Sequence, residues 1–199
     1  MSMVKIDLSK AIKALEKGDL VVYPTDTLYA LGADIFNEDA VKKVFKIKKR
    51  PLDVPLPVAV SSFAEVEKIA FFDKKVRLLV EHFLPGQITL ILNKKDIISD
   101  IVTSGLDKIA VRIPKNKLAL ELLSDFGPLT VTSANIHGMK TPNKINDIKT
   151  QLTGVDVYLD DGALEGLPST IVDMTTSELL VLREGKIKKK DITDVTNHG

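Results

Sequence analysis

Apolar positions along the chain fall into two rhythms. Steps of three and four mark helices. Ala11, Ile12, Ala14 and Leu15 share a face behind a Ser9 cap, with Gly18 as the exit. Ala40, Val41, Val44 and Phe45 follow an Asn37 cap and must stop at or before Pro51. Ser62 and Glu65 fit a capping box, and Asp73 opens a helix through Val76, Leu79, Val80 and Phe83 that ends at Pro85-Gly86. A further helix carries Leu118, Leu120, Leu122 and Leu123 and closes at Gly127. Short apolar runs between them read as strands: 20–23, 56–60, 88–92, 109–113, 129–132, 155–159, 169–174 and 179–183. Helices and strands alternate through the first two-thirds, and strands dominate afterwards. That order predicts a single α/β domain with one large mixed β-sheet flanked by helices. The stretch after Gly185, KIKKKDITDVTNHG, is polar and is expected to be only loosely tied down.

Composition narrows the picture. With 44% apolar residues, a disordered chain is excluded. Lysine and arginine (28) balance aspartate and glutamate (27), so attraction to phosphate must come from local clusters. The absence of cysteine excludes disulfides and thiol nucleophiles. Three histidines far apart in sequence suggest no metal cluster. No apolar run is long enough to cross a bilayer, and the chain reads as cytoplasmic, without membrane partners.

Candidate chemistry sits at strand ends. VVYPTDTLYALG (21–32) places Thr25, Asp26 and Thr27 where a buried strand has just stopped, more polar groups than a turn requires. In VKKVFKIKKRP, six of the nine residues from Lys42 to Arg50 are basic. Most suit a solvated helix face, but Lys48 and Arg50 stand at the helix-to-loop junction, where they suit a phosphate. TSANIHG (132–138) follows a strand, and Ser133 and Asn135 point the same way in an extended segment. Arg112 is the lone cation in strand IAVRI, Ser169 opens one late strand and Arg183 ends the next. Asp160-Asp161-Gly162 reads as a turn more readily than as a metal loop. Phosphate-loop, dinucleotide-turn and nucleophile-elbow motifs are absent, so phosphate binding would rest on scattered cations and hydroxyls.

Taken in order, PTDTLYALGA, Lys48-Lys49-Arg50-Pro51, LPGQITLIL, AVRIP, TSAN and PSTIVD resemble the YrdC-like family of threonylcarbamoyl-AMP synthases. The resemblance implies a twisted sheet with a concave, basic face, a catalytic domain over residues 1–185 in a short form of the enzyme, and a basic tail over 186–199. It implies a synthase that uses L-threonine, bicarbonate or CO2, and ATP with Mg2+, and a separate transferase that passes the product to tRNA for N6-threonylcarbamoyladenosine (t6A) modification. By position, Thr27, Arg112 and Ser169 are implied L-threonine contacts. Arg50, Ser133, Thr141 and Arg183 are implied nucleotide contacts, joined by Lys48 and Asn135. Lys48 and Arg50 are the implied catalytic cations. Lys108 occupies a nucleotide-contact position that often carries a hydroxyl. Val54 and Ala59 stand where many members have asparagine and histidine, so those two contacts are missing. Two other readings stay open: a non-catalytic module binding tRNA or double-stranded RNA, and a carbamoyl-adenylate domain of a maturation factor.

Overall fold

The computed structural model describes residues 3–176 and 178–197. Helix α1 (Met3–Glu16) leads into β1 (Val21–Tyr23) and, after the PTDT turn, β2 (Ala30–Gly32). Next come α2 (Glu38–Lys48), β3 (Val58–Ala59), α3 (Phe63–Ile69) and α4 (Lys74–Phe83). The middle holds β4 (Ile88–Asn93), α5 (Asp100–Thr103), β5 (Lys108–Arg112) and α6 (Lys117–Phe126). Only Val131 separates β6 (Leu129–Thr130) from β7 (Thr132–Ser133). Then follow α7 (Ile145–Gln151), β8 (Val157–Tyr158), β9 (Thr170–Asp173), β10 (Leu180–Arg183) and α8 (Lys189–Asn197).

The domain is α/β, with mixed sheets flanked by helices. Its strands form two ladders, ordered β7-β2-β1-β8 and β10-β9-β4-β5-β3-β6. In the smaller sheet β1 is antiparallel to β2 and parallel to β8; in the larger, β4 is antiparallel to β5 and parallel to β9. The ladders meet at 129–133, which reads as one strand in the sequence but serves one sheet with β6 and the other with β7. Thr130 fastens the joint. Its N–H donates to the Ala33 carbonyl (3.0 Å), its Oγ1 accepts the Ala33 N–H (3.0 Å) and donates to the Leu31 carbonyl (3.0 Å). The Tyr23 hydroxyl donates to the Thr130 carbonyl at 2.9 Å, and burial raises that phenol's pKa, so it keeps its proton. Every one of these groups is out of water and answered.

The uninterrupted LVVY run has a simple cause. Val21 and Tyr23 face one core with residues of α1 and α6, while Leu20 and Val22 face a second core with Ala40, Val41, Val44 and Phe45 of α2. A strand covered on both faces needs no polar side. Local caps act as the residue types suggest. Asn37 accepts the Ala40 N–H at 3.1 Å, Asp73 accepts the Val76 N–H at 2.7 Å, and Asn116 accepts the Ala119 N–H at 3.0 Å. Two expectations need correcting. Helix α1 begins upstream of Ser9, and Glu65 reaches back to the N–H and hydroxyl of Ser61 (2.7 and 2.8 Å), not to Ser62.

The chain after Gly185 is also not loose. It forms α8, which packs on α4, with Ile192 fully buried and Ile187 and Val195 partly so. The Thr170 hydroxyl holds its lead-in by donating to the Ile187 carbonyl at 2.7 Å. Lysines and aspartates mask the single apolar face of this segment. Ile192→Ala should therefore cost about 2–5 kcal/mol of unfolding free energy in urea titration. An unchanged midpoint would return the segment to a solvated tail.

Candidate active site

A cleft of about 580 Å³ lies between elements of both sheets. That volume suits a small-molecule ligand. Its wall is built by the PTDT turn, the starts of β4 and β9, and one face of β5. Strand period explains the selection: Thr89 and Ile91 of β4 and Ala110 and Arg112 of β5 present alternate residues to the cleft.

One part of the wall is organised around Arg112, whose side chain is only 6% exposed. Its Nη2 donates to Asp26 Oδ1 at 2.6 Å and more weakly to the Gly86 carbonyl at 3.4 Å; its Nη1 donates to Thr27 Oγ1 at 3.1 Å. Burial lowers this arginine's pKa, and the Asp26 charge opposes the shift. Nε has no partner. The hydroxyls at 25 and 27 now have separate tasks. Thr25 Oγ1 donates to the Leu28 carbonyl at 2.6 Å and accepts the N–H groups of Thr27 and Leu28, closing the turn. With its hydrogen so engaged, the 2.9 Å contact between the two hydroxyls is donated by Thr27. Thr27 thus gives its hydrogen to Thr25 and accepts from Arg112, which fixes it at the cleft wall. Tyr29 is fully buried and holds a neighbouring turn, donating to the Gly162 carbonyl at 2.7 Å and accepting the Asp161 N–H at 2.9 Å.

Arg50 and Arg183 line the same cleft, as do Ser133 and Thr141. Arg50 is fixed by donation to the carbonyls of Val54 (3.0 Å) and Pro55 (2.8 Å). Arg183 donates through Nε (3.1 Å) and Nη2 (2.9 Å) to the Ser169 carbonyl, and Ser169 Oγ lies 2.8 Å from Thr89 Oγ1. Burial lowers both arginine pKa values. Among the described residues the cleft lining carries no carboxylate, and only Arg112 has its charge answered, by Asp26 behind the wall; Arg50 and Arg183 are held chiefly by carbonyls, a setting suited to an anion. A larger, more open depression of about 880 Å³ beside α8 is lined by neither arginine nor hydroxyl side chains.

Of the residues singled out in the sequence, Thr27, Arg50, Arg112, Ser133, Thr141, Ser169 and Arg183 come together on this cleft. Lys48 and Asn135 do not line it. Lys48 is 1% exposed and donates to the carbonyls of Ser133 and Asn135 (2.7 Å to the latter) and to Asn135 Oδ1 at 3.1 Å. Lys108 is paired with Asp173 at 3.0 Å. Val54 lines the cleft, whereas Ala59 is fully buried beside Arg112 in the sheet register. Sequence reasoning missed Thr89 and the partnership of Asp26. The signal for Thr89 was the one hydroxyl in an otherwise apolar strand, facing Arg112. It also missed Gly166, where a Cβ would lie 2.1 Å from the Thr27 carbonyl, so only glycine lets the 160–169 segment pass against the PTDT turn. Among the described residues, no group of three or more acidic or histidine side chains is placed to hold a metal, and no helix is long and apolar enough to cross a membrane.

The Sua5_yciO_yrdC family model, described as telomere recombination, matches residues 13–185. The chain belongs to the Sua5/YciO/YrdC family. A threonylcarbamoyl-AMP synthase of Pyrococcus abyssi is 35% identical over 185 residues, covering 91% of this chain and 54% of that protein. The solved Pyrococcus abyssi Sua5 in complex with L-threonine superposes with a TM-score of 0.90 at 34% identity, over 94% of this chain and 56% of that one. A putative threonylcarbamoyl-AMP synthase of Methanocaldococcus jannaschii is 40% identical over 177 residues, 88% of this chain and 84% of that one. This family member therefore spans about half of the Pyrococcus protein and most of the Methanocaldococcus one.

Two outcomes follow. Asp26→Ala would leave the Arg112 charge buried without its partner, and should cost about 3–5 kcal/mol in urea unfolding; a loss below 1 kcal/mol would mean that the pair is dispensable. Lys48 supplies a pH signature. Burial, and then the nearby Arg50 charge, lowers it to about 7 from the ordinary 10.5. Between those values the unfolded chain binds the extra proton. This group's contribution to stability therefore grows as pH rises from about 7 and is lost as pH falls through 7. Urea titrations from about pH 6 to 10 should show wild type gaining on Lys48→Met across that window; parallel curves would contradict it.

Proposed function

We propose that this chain is an L-threonylcarbamoyladenylate synthase, a nucleotidyltransferase that makes threonylcarbamoyl-AMP and pyrophosphate from L-threonine, bicarbonate or CO2, and ATP. The observation that carries the reading is one cleft that gathers Thr27 and Arg112, suited to an amino acid, together with Arg50, Arg183, Ser133 and Thr141, suited to phosphates. The names of the Pyrococcus and Methanocaldococcus relatives support it.

The reaction asks for placement more than for a nucleophile. The neutral threonine amine adds to CO2, forming a C–N bond and, after loss of a proton, a carbamate. A carbamate oxygen attacks the α-phosphorus, and the bond to the bridging oxygen of pyrophosphate breaks. Arg112, with Thr27, holds the amino acid. Ser169 meets Thr89 through its hydroxyl and Arg183 through its carbonyl, and so ties β4 to Arg183 at the cleft wall. Aligning reactants in this way is worth roughly 7–11 kcal/mol in favourable cases. Arg50 and Arg183 stabilise negative charge on the phosphoryl oxygens. With a lining of arginines and hydroxyls, Mg2+ fits as ATP-borne charge neutralisation, ligated by phosphate and water. The product would serve tRNA t6A modification through a separate transferase, with tRNA itself a further candidate ligand.

Pyrophosphate release from MgATP should require both L-threonine and bicarbonate, with a threonylcarbamoyl-AMP mass in the product, and Arg183→Ala should lower kcat/KM by about tenfold to a thousandfold. Release without threonine would contradict the assignment. No release alongside tRNA binding would instead support the RNA-binding module.

A further inference from the structure

Lys48 belongs to the same Lys-x-Arg pattern as Arg50, yet the two side chains go to different places. The Lys48 side chain carries three hydrogens as an ammonium and two as the amine. In either form they are taken up by three oxygens, all on one loop: the Ser133 carbonyl, the Asn135 carbonyl at 2.7 Å and Asn135 Oδ1 at 3.1 Å. None is left for a phosphate. The main chain of the same residue grips the same loop, because the Lys48 carbonyl accepts the His137 N–H at 2.7 Å. From the other side, Asn135 Oδ1 also accepts the Ser133 hydroxyl (2.6 Å), and Asn135 Nδ2 donates to the Met139 carbonyl (2.5 Å). Lys48 and Asn135 thus hold residues 133–139 from within, alongside Gln151, whose Oε1 accepts the Ile136 N–H at 2.9 Å, and Tyr29, whose carbonyl accepts the Ala134 N–H at 2.8 Å; the loop runs between cleft-lining Ser133 and Thr141.

Helix α2 ends at Lys48, and the next residue turns the chain sharply. Lys49 has φ +50°, a left-handed conformation that directs Arg50 away from the helix and onto the cleft. The α2 terminus therefore sets two things at once: where Arg50 stands, and where the loop opposite it stands.

We propose that Lys48 is a positioning residue and not a phosphate ligand: it braces the 133–139 loop so that Ser133 and Thr141 meet the nucleotide opposite Arg50. The proposal rests on the reading that this part of the cleft takes a nucleotide.

The test compares Lys48→Met, Asn135→Leu, their double variant and Arg50→Met in the full chain. Each is measured for amide hydrogen exchange at His137 and Met139, for affinity toward a non-hydrolysable ATP analogue, and for affinity toward L-threonine. Lys48→Met should speed exchange at both amides and weaken the analogue by about tenfold or more, with L-threonine affinity within about twofold of wild type. Asn135→Leu should reproduce that pattern, and the double variant should be little worse than either single one, as expected for two halves of one brace. Arg50→Met should weaken the analogue with exchange at Met139 unchanged; Met139 is the readout for this variant because Arg50 Nη1 lies 3.5 Å from His137 Nδ1. If Lys48→Met weakens the analogue while exchange stays at the wild-type rate, the lysine is a direct ligand and the proposal fails. It also fails if exchange rises with analogue affinity intact, or if both ligands weaken together. A wild-type chain that binds L-threonine but no ATP analogue would sink the nucleotide reading itself, a result distinct from all of these.

Discussion

A guanidinium taken out of water must be answered from several directions, and Arg112 imposes that demand on three parts of the chain. Asp26 supplies the countercharge, Thr27 an oxygen and Gly86 a carbonyl. The PTDT turn, the turn before β4 and the end of β5 are thereby drawn to one point. A buried charge left without its partner costs about 3–5 kcal/mol, a large share of a domain's stability, so the fold strongly favours the meeting of these segments. The polar cluster that follows the apolar LVVY strand is the consequence. Thr25 closes the turn, Asp26 balances the arginine, and Thr27 borders the cleft.

The sheets supply the second half of the geometry. Because β6 and β7 are consecutive but belong to different ladders, the segment that fastens the two sheets also delivers Ser133 to the cleft. Stability and site placement share one joint, centred on Thr130 and Tyr23. On the opposite wall Ser169 accepts Arg183 through its carbonyl and meets Thr89 through its hydroxyl. Short hydrogen-bonded links thus fix Ser169, Thr89 and Arg183 relative to one another at the cleft wall, which fits the proposed reaction's need to hold several reactants in register.

Much of this was legible in the chain itself. Buried strands announced themselves as β-branched runs, caps at Asn37 and Asp73 acted as their chemistry dictates, and the cations and hydroxyls at strand ends marked most of the cleft. What escaped depends on long-range contact. The helix end set Lys48 apart from Lys42 and Lys46 and pointed to a phosphate, but nothing local shows that its hydrogens go to a loop 85 and 87 residues away. Nor does local pattern divide LTVT between two sheets, since the break lies in partner choice and not in backbone type. Helix α8 was hidden by its charge: Ile192 and Val195, with Ile187 of its lead-in, sufficed to dock it once α4 was there to receive them. Gly166 was unreadable because its reason is the close passage of the Thr27 backbone.

The Arg112 part of the cleft is the most exacting point at which to test this arrangement. Titration calorimetry of L-threonine into wild type and Arg112→Lys asks the question directly, since lysine keeps a charge near Asp26 but loses the planar fork. Binding by wild type, weakened by about tenfold or more in a variant that still unfolds cooperatively, is the predicted result. Equal affinity in the two proteins would place L-threonine elsewhere and contradict the organisation of the cleft around Arg112.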